Sequence, residues 1–486
     1  MALRAAGAVL ASPTSRYRTI PAYLRALSER TTSVLADRPD VSDPDVARRL
    51  VGYTWDLSLE QLATDGVTLA TPLLRLLSQF TDAPVPRSLL TPDLLTAATG
   101  EDTTLAAVDA AVAGLHRYGL IDTPEPARTL NIPTVALHPV VRESTALRLS
   151  HDGHRSPFRD AVDHALTAGV RDVTQAGRGG WDTAQLLAPH LPTLHNLTTT
   201  DQPFLTARNT LDDLARVLYA AGRHPSELAL RQHVLDTEEH TLGPDHPDTL
   251  SSRNNLASAL DGLGRYQEAA DLHRDTLTTR EHLLGPNHPS TLSSRNNLAS
   301  ALYGLGRYQE AADLHRDTLT TREHTLGPNH PDTLSSRNNL ANALAGLGRF
   351  QEAADLHRDT LTTLENILGP DQPTTLQSRN NLANALARLG RYQEAADLHR
   401  DTLTTREHIL GPDHPTTLQS RNNLAGALRG LGRYREAADL HRDTLTTLER
   451  ILGPDHPDTL QSRNNLALAL RAAGAVGARA RWWRWR

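Results

Sequence analysis

The chain contains no cysteine. Disulfide cross-links, thiolate metal sites and a cysteine nucleophile are therefore excluded. Lysine is missing as well, so all 50 positive residues are arginine. Neither a Schiff-base lysine nor the lysine of a phosphate-binding P-loop can exist here. No apolar run approaches the roughly 18–20 residues that span a bilayer. The formal charge of −6 lacks the basic excess of a nucleic-acid footprint. Met1–Ser12 holds Arg4 and a short alanine-rich apolar stretch, too short and weak for a secretion signal. The expectation is a cytoplasmic protein with no cofactor, no nucleic-acid partner and no membrane partner.

What the chain has in abundance is repetition. Arg-Asn-Asn-Leu-Ala begins at Arg253, Arg295, Arg337, Arg379, Arg421 and Arg463, always 42 residues apart. A fixed period of that size marks stacked supersecondary units. In the copy Pro247–His288, Leu250, Ala257, Leu260 and Leu263 fall at helical spacing behind a first-turn proline, which predicts a helix A. Gly262-Leu263-Gly264-Arg265 breaks it, since glycine supplies the left-handed residue that closes a helix. A helix B is predicted from about Tyr266 to Leu284, ended by Gly285-Pro286.

These residues carry a resemblance. Leu256-Ala257, Leu260, Gly264, Tyr266 and Ala269 fall where tetratricopeptide repeats keep their packing residues. The 42-residue period and the Leu-Gly-Pro-x-His-Pro link resemble the long repeats of kinesin light chains and their bacterial relatives. Thr276 departs from the small alanine usual in the family. The resemblance implies a right-handed α-solenoid over residues 203–470, with a degenerate first copy and a truncated last one. Terminal repeats of a solenoid deviate because one side lacks an identical neighbour.

Ahead of the array, helices are predicted at Pro21–Ala36, Val46–Gln61, Thr68–Phe80 and Leu105–Tyr118, with the segment Leu89–Leu95 before the last. Two short strands, Leu120–Asp122 and Thr134–Leu137, flank a proline-bearing loop, and Pro84-Val85-Pro86 reads as a stop. Tyr53–Leu59, Leu73–Leu77, Gly119–Ile121 and Leu137–Arg142 together resemble the winged-helix end of NB-ARC-type signal-transduction ATPases. The fold expectation is all-α, a winged-helix domain followed by the tetratricopeptide superhelix. Its parts are an N-terminal helical remnant (1–45), the winged helix (46–150), a helical connector with a flexible Gly177–Gly180 break (151–202), the array (203–470) and an Arg/Trp tail (471–486). Such ATPases keep a Gly-rich loop and Lys-Ser/Thr far upstream, whereas only a short segment precedes residue 46, so the nucleotide-binding core is expected to be absent. His138 matches the histidine of the family's Met-His-Asp signature, which touches the nucleotide phosphate. Its flanks here are Leu137 and Pro139, so the expectation is a histidine packed between wing and following helix.

In the tetratricopeptide fold helix A lines the concave groove. That register places Asn254 and Asn255, Asn296 and Asn297, Asn338 and Asn339, Asn380 and Asn381, Asn422 and Asn423 on the groove side, with Tyr303 and Arg429 at variable positions. An amide both donates and accepts, so it can satisfy the backbone of an extended peptide without reading its sequence. The alternative is that one asparagine of each pair caps nearby backbone or bonds the adjacent copy. His273, His315, His357, His399 and His441 form a second row, and histidines one repeat apart lack the convergence of a metal site. No nucleophile and base are marked by a motif. The expected function is a non-catalytic protein-interaction scaffold or sensor. The alternatives are the regulatory half of a separately encoded ATPase or a DNA-binding regulator. The last copy lacks a helix B, so the apolar face of Leu460, Leu466, Ala467 and Leu470 is left uncovered. The tail Arg479–Arg486 is expected to fold back irregularly or to pair with another molecule, which makes self-association through the C-terminal end a further expectation.

Overall fold

A computed structural model describes residues 55–124, 132–150, 157–195 and 202–483, with a few isolated positions before residue 55. The predicted helix Pro21–Ala36 lies outside the described residues, as does most of the segment 1–45. The chain divides into two compact units, 1–242 and 243–486.

In the first unit residues 55–64 are helical, followed by helices Ala70–Leu77, Pro92–Thr99 and Leu105–Arg117. Thr91 and Thr104 cap the last two by accepting backbone N–H bonds from Leu94 and Ala107, the usual work of a hydroxyl at a helix start. Strand β3 (Thr134–Leu137) pairs antiparallel with β2 (Ile121–Asp122) on one side and with β1 (Val85–Pro86) on the other. The expected stop at Pro84-Val85-Pro86 is therefore a third strand. Pro86 is tolerated because it sits in an edge strand, where no ladder N–H is demanded of it. Leu73, Leu76, Leu95, Leu115 and Tyr118 are fully buried between helices and sheet.

The connector is more ordered than its composition suggests. One helix runs Pro157–Ala176, and Gly177–Gly180, expected to be a flexible break, is a turn of 3₁₀ helix leading into Trp181–Leu187. Gly180 is buried against Val173, where a Cβ would come within 2.6 Å of the Val173 carbonyl oxygen. Absence of a side chain permits the close approach here rather than freedom of the backbone. Helices Gln202–Ala220 and His224–Thr241 form the degenerate copy. Their Leu211, Leu214, Leu218, Leu230 and Val234 join the core of this first unit.

The second unit is a repeat solenoid. Helix A recurs as Pro247–Gly262, Pro289–Gly304, Pro331–Gly346, Pro373–Arg388 and Pro415–Gly430, and helix B as Tyr266–Leu284, Tyr308–Leu326, Phe350–Leu368, Tyr392–Leu410 and Tyr434–Leu452. The His-Pro link has a local cause. His246 Nδ1 accepts the backbone N–H of Asp248, and His288, His330 and His414 repeat this cap, while proline fills the first helical position at no hydrogen-bond cost. The A–B turn closes with Arg265 N–H bonding the Leu260 carbonyl at 2.9 Å across Gly264, whose φ is +73°. Thr276, the departure from alanine, is fully buried, and its hydroxyl donates to the Leu272 carbonyl one turn back. The leading arginine of each Arg-Asn-Asn-Leu-Ala ties copies together: Arg295 to Glu281 and Arg337 to Glu323, each at 2.7 Å.

The last helix corrects an expectation. It runs Pro457–Trp483 without the A–B turn, so the Arg/Trp tail continues helix A up to Trp483 instead of folding back irregularly. The stretch Ala469–Ala480 is rich in alanine and arginine, strong helix formers, and has no proline. Its uncovered face is plain: Leu460 is 43% exposed where Leu250 is 2%, and Leu470 46% where Leu260 is 5%.

Candidate peptide-binding groove

Helix A residues of successive copies, with Tyr308, Phe350, His357, Tyr392 and His399 of helix B, line one cavity of about 730 Å³ that reaches from Tyr303 to Arg429. Of the predicted site residues, Asn381, Asn422, Asn423, Tyr303 and Arg429 line it. Asn254, Asn255, Asn296, Asn297, Asn338, Asn339 and Asn380 do not. At one end the Tyr303 and Tyr308 rings meet edge to face, 5.0 Å between centroids. Burial raises the Tyr303 phenol above its ordinary pKa, so it stays a neutral hydrogen-bond donor. Near the middle the Arg388 guanidinium lies 5.9 Å from the Phe350 ring centroid. The lining carries Arg388 and Arg429 and no aspartate or glutamate, in a chain of net charge −6.

Phe350, Arg388 and Tyr308 were not among the predicted site residues. A signal existed for Arg388, since Gly262, Gly304, Gly346 and Gly430 occupy the same position in other copies. At Gly304 the Tyr266 ring packs so close that an added Cβ would sit 2.4 Å from it, and Gly346 and Gly430 meet Tyr308 and Tyr392 likewise. Where glycine gives way to Arg388, its aromatic neighbour is phenylalanine, and the ring faces the guanidinium.

The asparagine pairs also bond from copy to copy. Asn297, Asn339 and Asn423 donate from Nδ2 to Oδ1 of Asn254, Asn296 and Asn380 in the preceding copy, each at 2.8 Å. These amides form a ladder that stitches neighbouring A helices. Beneath them lie the buried histidines. Burial holds His315, His357 and His399 down at about 4, so they are neutral near pH 7. Among the described residues no group of three or more His, Asp or Glu is placed to hold a metal ion. His138 is exposed, and its ring caps the following helix by accepting the Val140 N–H at 3.4 Å. It does not pack between wing and helix.

The tetratricopeptide-repeat family profiles match residues 208–248, 249–290 and 291–332, and further profiles of the same description match 332–408 and 374–450. The chain carries a tetratricopeptide-repeat array. Two structures of a kinesin-light-chain-type protein of Podosopora anserina with nearly identical tetratricopeptide-like repeats are similar, at 30% and 31% identity. They cover 41% and 42% of this chain and 94% and 97% of theirs, both with a TM-score of 0.37. A signal transduction ATPase with numerous domains from Pyrococcus horikoshii, which has a tetratricopeptide repeat sensor, is 12% identical over 94% of this chain and 72% of its own, with a TM-score of 0.38. No curated protein matches the chain. Tetratricopeptide arrays are protein-interaction scaffolds. Among the described residues no helix is long and apolar enough to cross a membrane.

Proposed function

We propose that this chain is a non-catalytic, cytoplasmic scaffold or sensor whose tetratricopeptide groove takes an extended, anionic segment of a partner protein. The observation that carries this reading is the lining of the cavity: two arginines, no carboxylate and a row of asparagine amides. Amides pair with a peptide backbone. Guanidinium groups pair with carboxylates. The aromatic end at Tyr303 and Tyr308 adds area for an apolar side chain. The test is fluorescence anisotropy of full-length protein with a fluorescein-labelled octapeptide of alternating alanine and glutamate, against the same peptide with glutamine. A preference for the glutamate peptide that vanishes with added salt supports the reading, and equal binding of the two overturns it.

For the first unit, helices Ala70–Leu77, Pro92–Thr99 and Leu105–Arg117 with the antiparallel sheet β1-β3-β2, whose first strand lies between the first two of these helices, support the winged-helix reading of residues 46–150 and, with it, descent from a signal-transduction ATPase. The uncovered face at Leu460 and Leu470 supports self-association through the last helix. Sedimentation velocity over a wide concentration range tests it, and a strict monomer removes it.

A further inference from the structure

One buried position of helix B alternates between copies: Arg280, Arg322 and Arg406 in three, Leu364 and Leu448 in two. The bonding of the groove asparagines follows this alternation without exception. Each arginine donates from Nη1 to a serine of the next helix A, Ser294, Ser336 or Ser420, at 2.8–2.9 Å. In those copies the asparagine ladder is closed, and His273, His315 and His399 have no hydrogen bond at Nδ1.

In the leucine copies the pattern inverts. His357 Nδ1 bonds Asn338 Oδ1 at 3.0 Å, and His441 bonds Asn422 at 2.9 Å. The Ser378 hydroxyl, with no arginine to serve, donates to the same Asn338 oxygen at 3.4 Å. Leu364 and Asn338 border a small cavity of about 50 Å³ with Thr374 on its wall. Thr416, the equivalent of Thr374 one copy on, gives its carbonyl to Arg406. With Asn338 occupied from below, Asn381 makes no ladder bond. Its Oδ1 instead accepts from Gln377 at 3.0 Å.

We propose that Leu364 opens the asparagine ladder inside the groove and thereby makes Asn381 the amide that anchors the ligand. This rests on the groove reading above and names the contact within it. Gln377 holds the amide by its oxygen, and Nδ2 is left for an acceptor on the ligand, a backbone carbonyl or a carboxylate. Asn423, in the same cavity, has one of its two Nδ2 hydrogens and its orientation fixed by the bond to Asn380. The device is encoded away from the groove, in the length and charge of a buried helix B side chain.

The test uses the full chain and the fluorescein-labelled alanine–glutamate octapeptide. Asn381→Ala is expected to weaken binding about tenfold, the worth of one charge-assisted bond. Leu364→Arg, a residue the fold already accepts at 322 and 406, is expected to match that loss, and the two changes together to lose no more than either alone. Arg406→Leu should free Asn423 and tighten binding. Wild-type affinity in both Asn381→Ala and Leu364→Arg overturns the proposal. If the octapeptide does not bind wild type, the groove reading fails by itself. The switch is then read from side-chain amide NMR of ¹⁵N-asparagine protein: slowed exchange of the Asn381 amide in Leu364→Arg upholds it, and no change overturns it.

Discussion

The two units bury their apolar side chains by different rules. In the first, Phe80, Tyr118 and Leu115 share one core with Val162, Leu187 and Leu214, and polar ties such as Thr81 to His190 or Arg159 to the Gln79 carbonyl join residues far apart in sequence. In the second, each helix packs on its neighbours, and the same Leu, Ala, Thr and His recur at every level. A fault in the first unit is felt throughout, whereas a fault in the array stays near its copy.

Leu73→Ala sharpens this contrast most. Leu73 is fully buried, and its truncation should cost about 2–5 kcal/mol. Scanning calorimetry is expected to show one transition displaced and the array transition unmoved, and a joint shift would contradict the division. In the array, Gly304→Ala drives a methyl into the Tyr266 ring and should cost about 1–3 kcal/mol, read as a lower urea midpoint.

Acid acts on the array through its buried histidines. The folded pKa of His315, His357 and His399 is lowered by burial from 6.5 to about 4. Their neutral form therefore stabilises the array fully above pH 6.5, and that contribution drains away as pH falls towards 4. Each histidine forfeits about 1.4 kcal/mol per pH unit inside that window. Circular dichroism melts from pH 7 to 4 should show the array transition falling, and a flat array midpoint would mean the histidines are hydrated. The smallest effect is at a cap. Gln372 makes no side-chain cap bond where other copies use histidine, so Gln372→His should stabilise by about 0.5–1 kcal/mol in the same melts.

How legible each unit was follows from the same difference. Helices Pro247–Gly262 and Tyr266–Leu284 were readable because their signals, His-Pro, Gly-Leu-Gly and Leu-Gly-Pro, recur from copy to copy, with Gln372 and Arg388 as the departures. Strand β1 was not, because Val85-Pro86 gains its identity only from Thr134 and Val135, some fifty residues away. The groove was legible as a row of asparagines, with bonding to the adjacent copy as the alternative, but which pairs bond was not. Whether Asn381 is bonded depends on Leu364 from another helix, and a side-chain bond between copies leaves no periodic trace of its own. The tail misled because its tryptophans fit no helix B pattern, while the alanines before them simply extend helix A.

The claim that most needs a direct trial is that the groove binds through its positive charge. The measurement is the affinity of full-length Arg388→Glu/Arg429→Glu protein for the alanine–glutamate octapeptide and for its alanine–arginine counterpart, beside wild type. The expected result is a reversed preference, with the glutamate peptide lost and the arginine peptide gained. An unchanged preference for the glutamate peptide would place the binding surface elsewhere on the molecule.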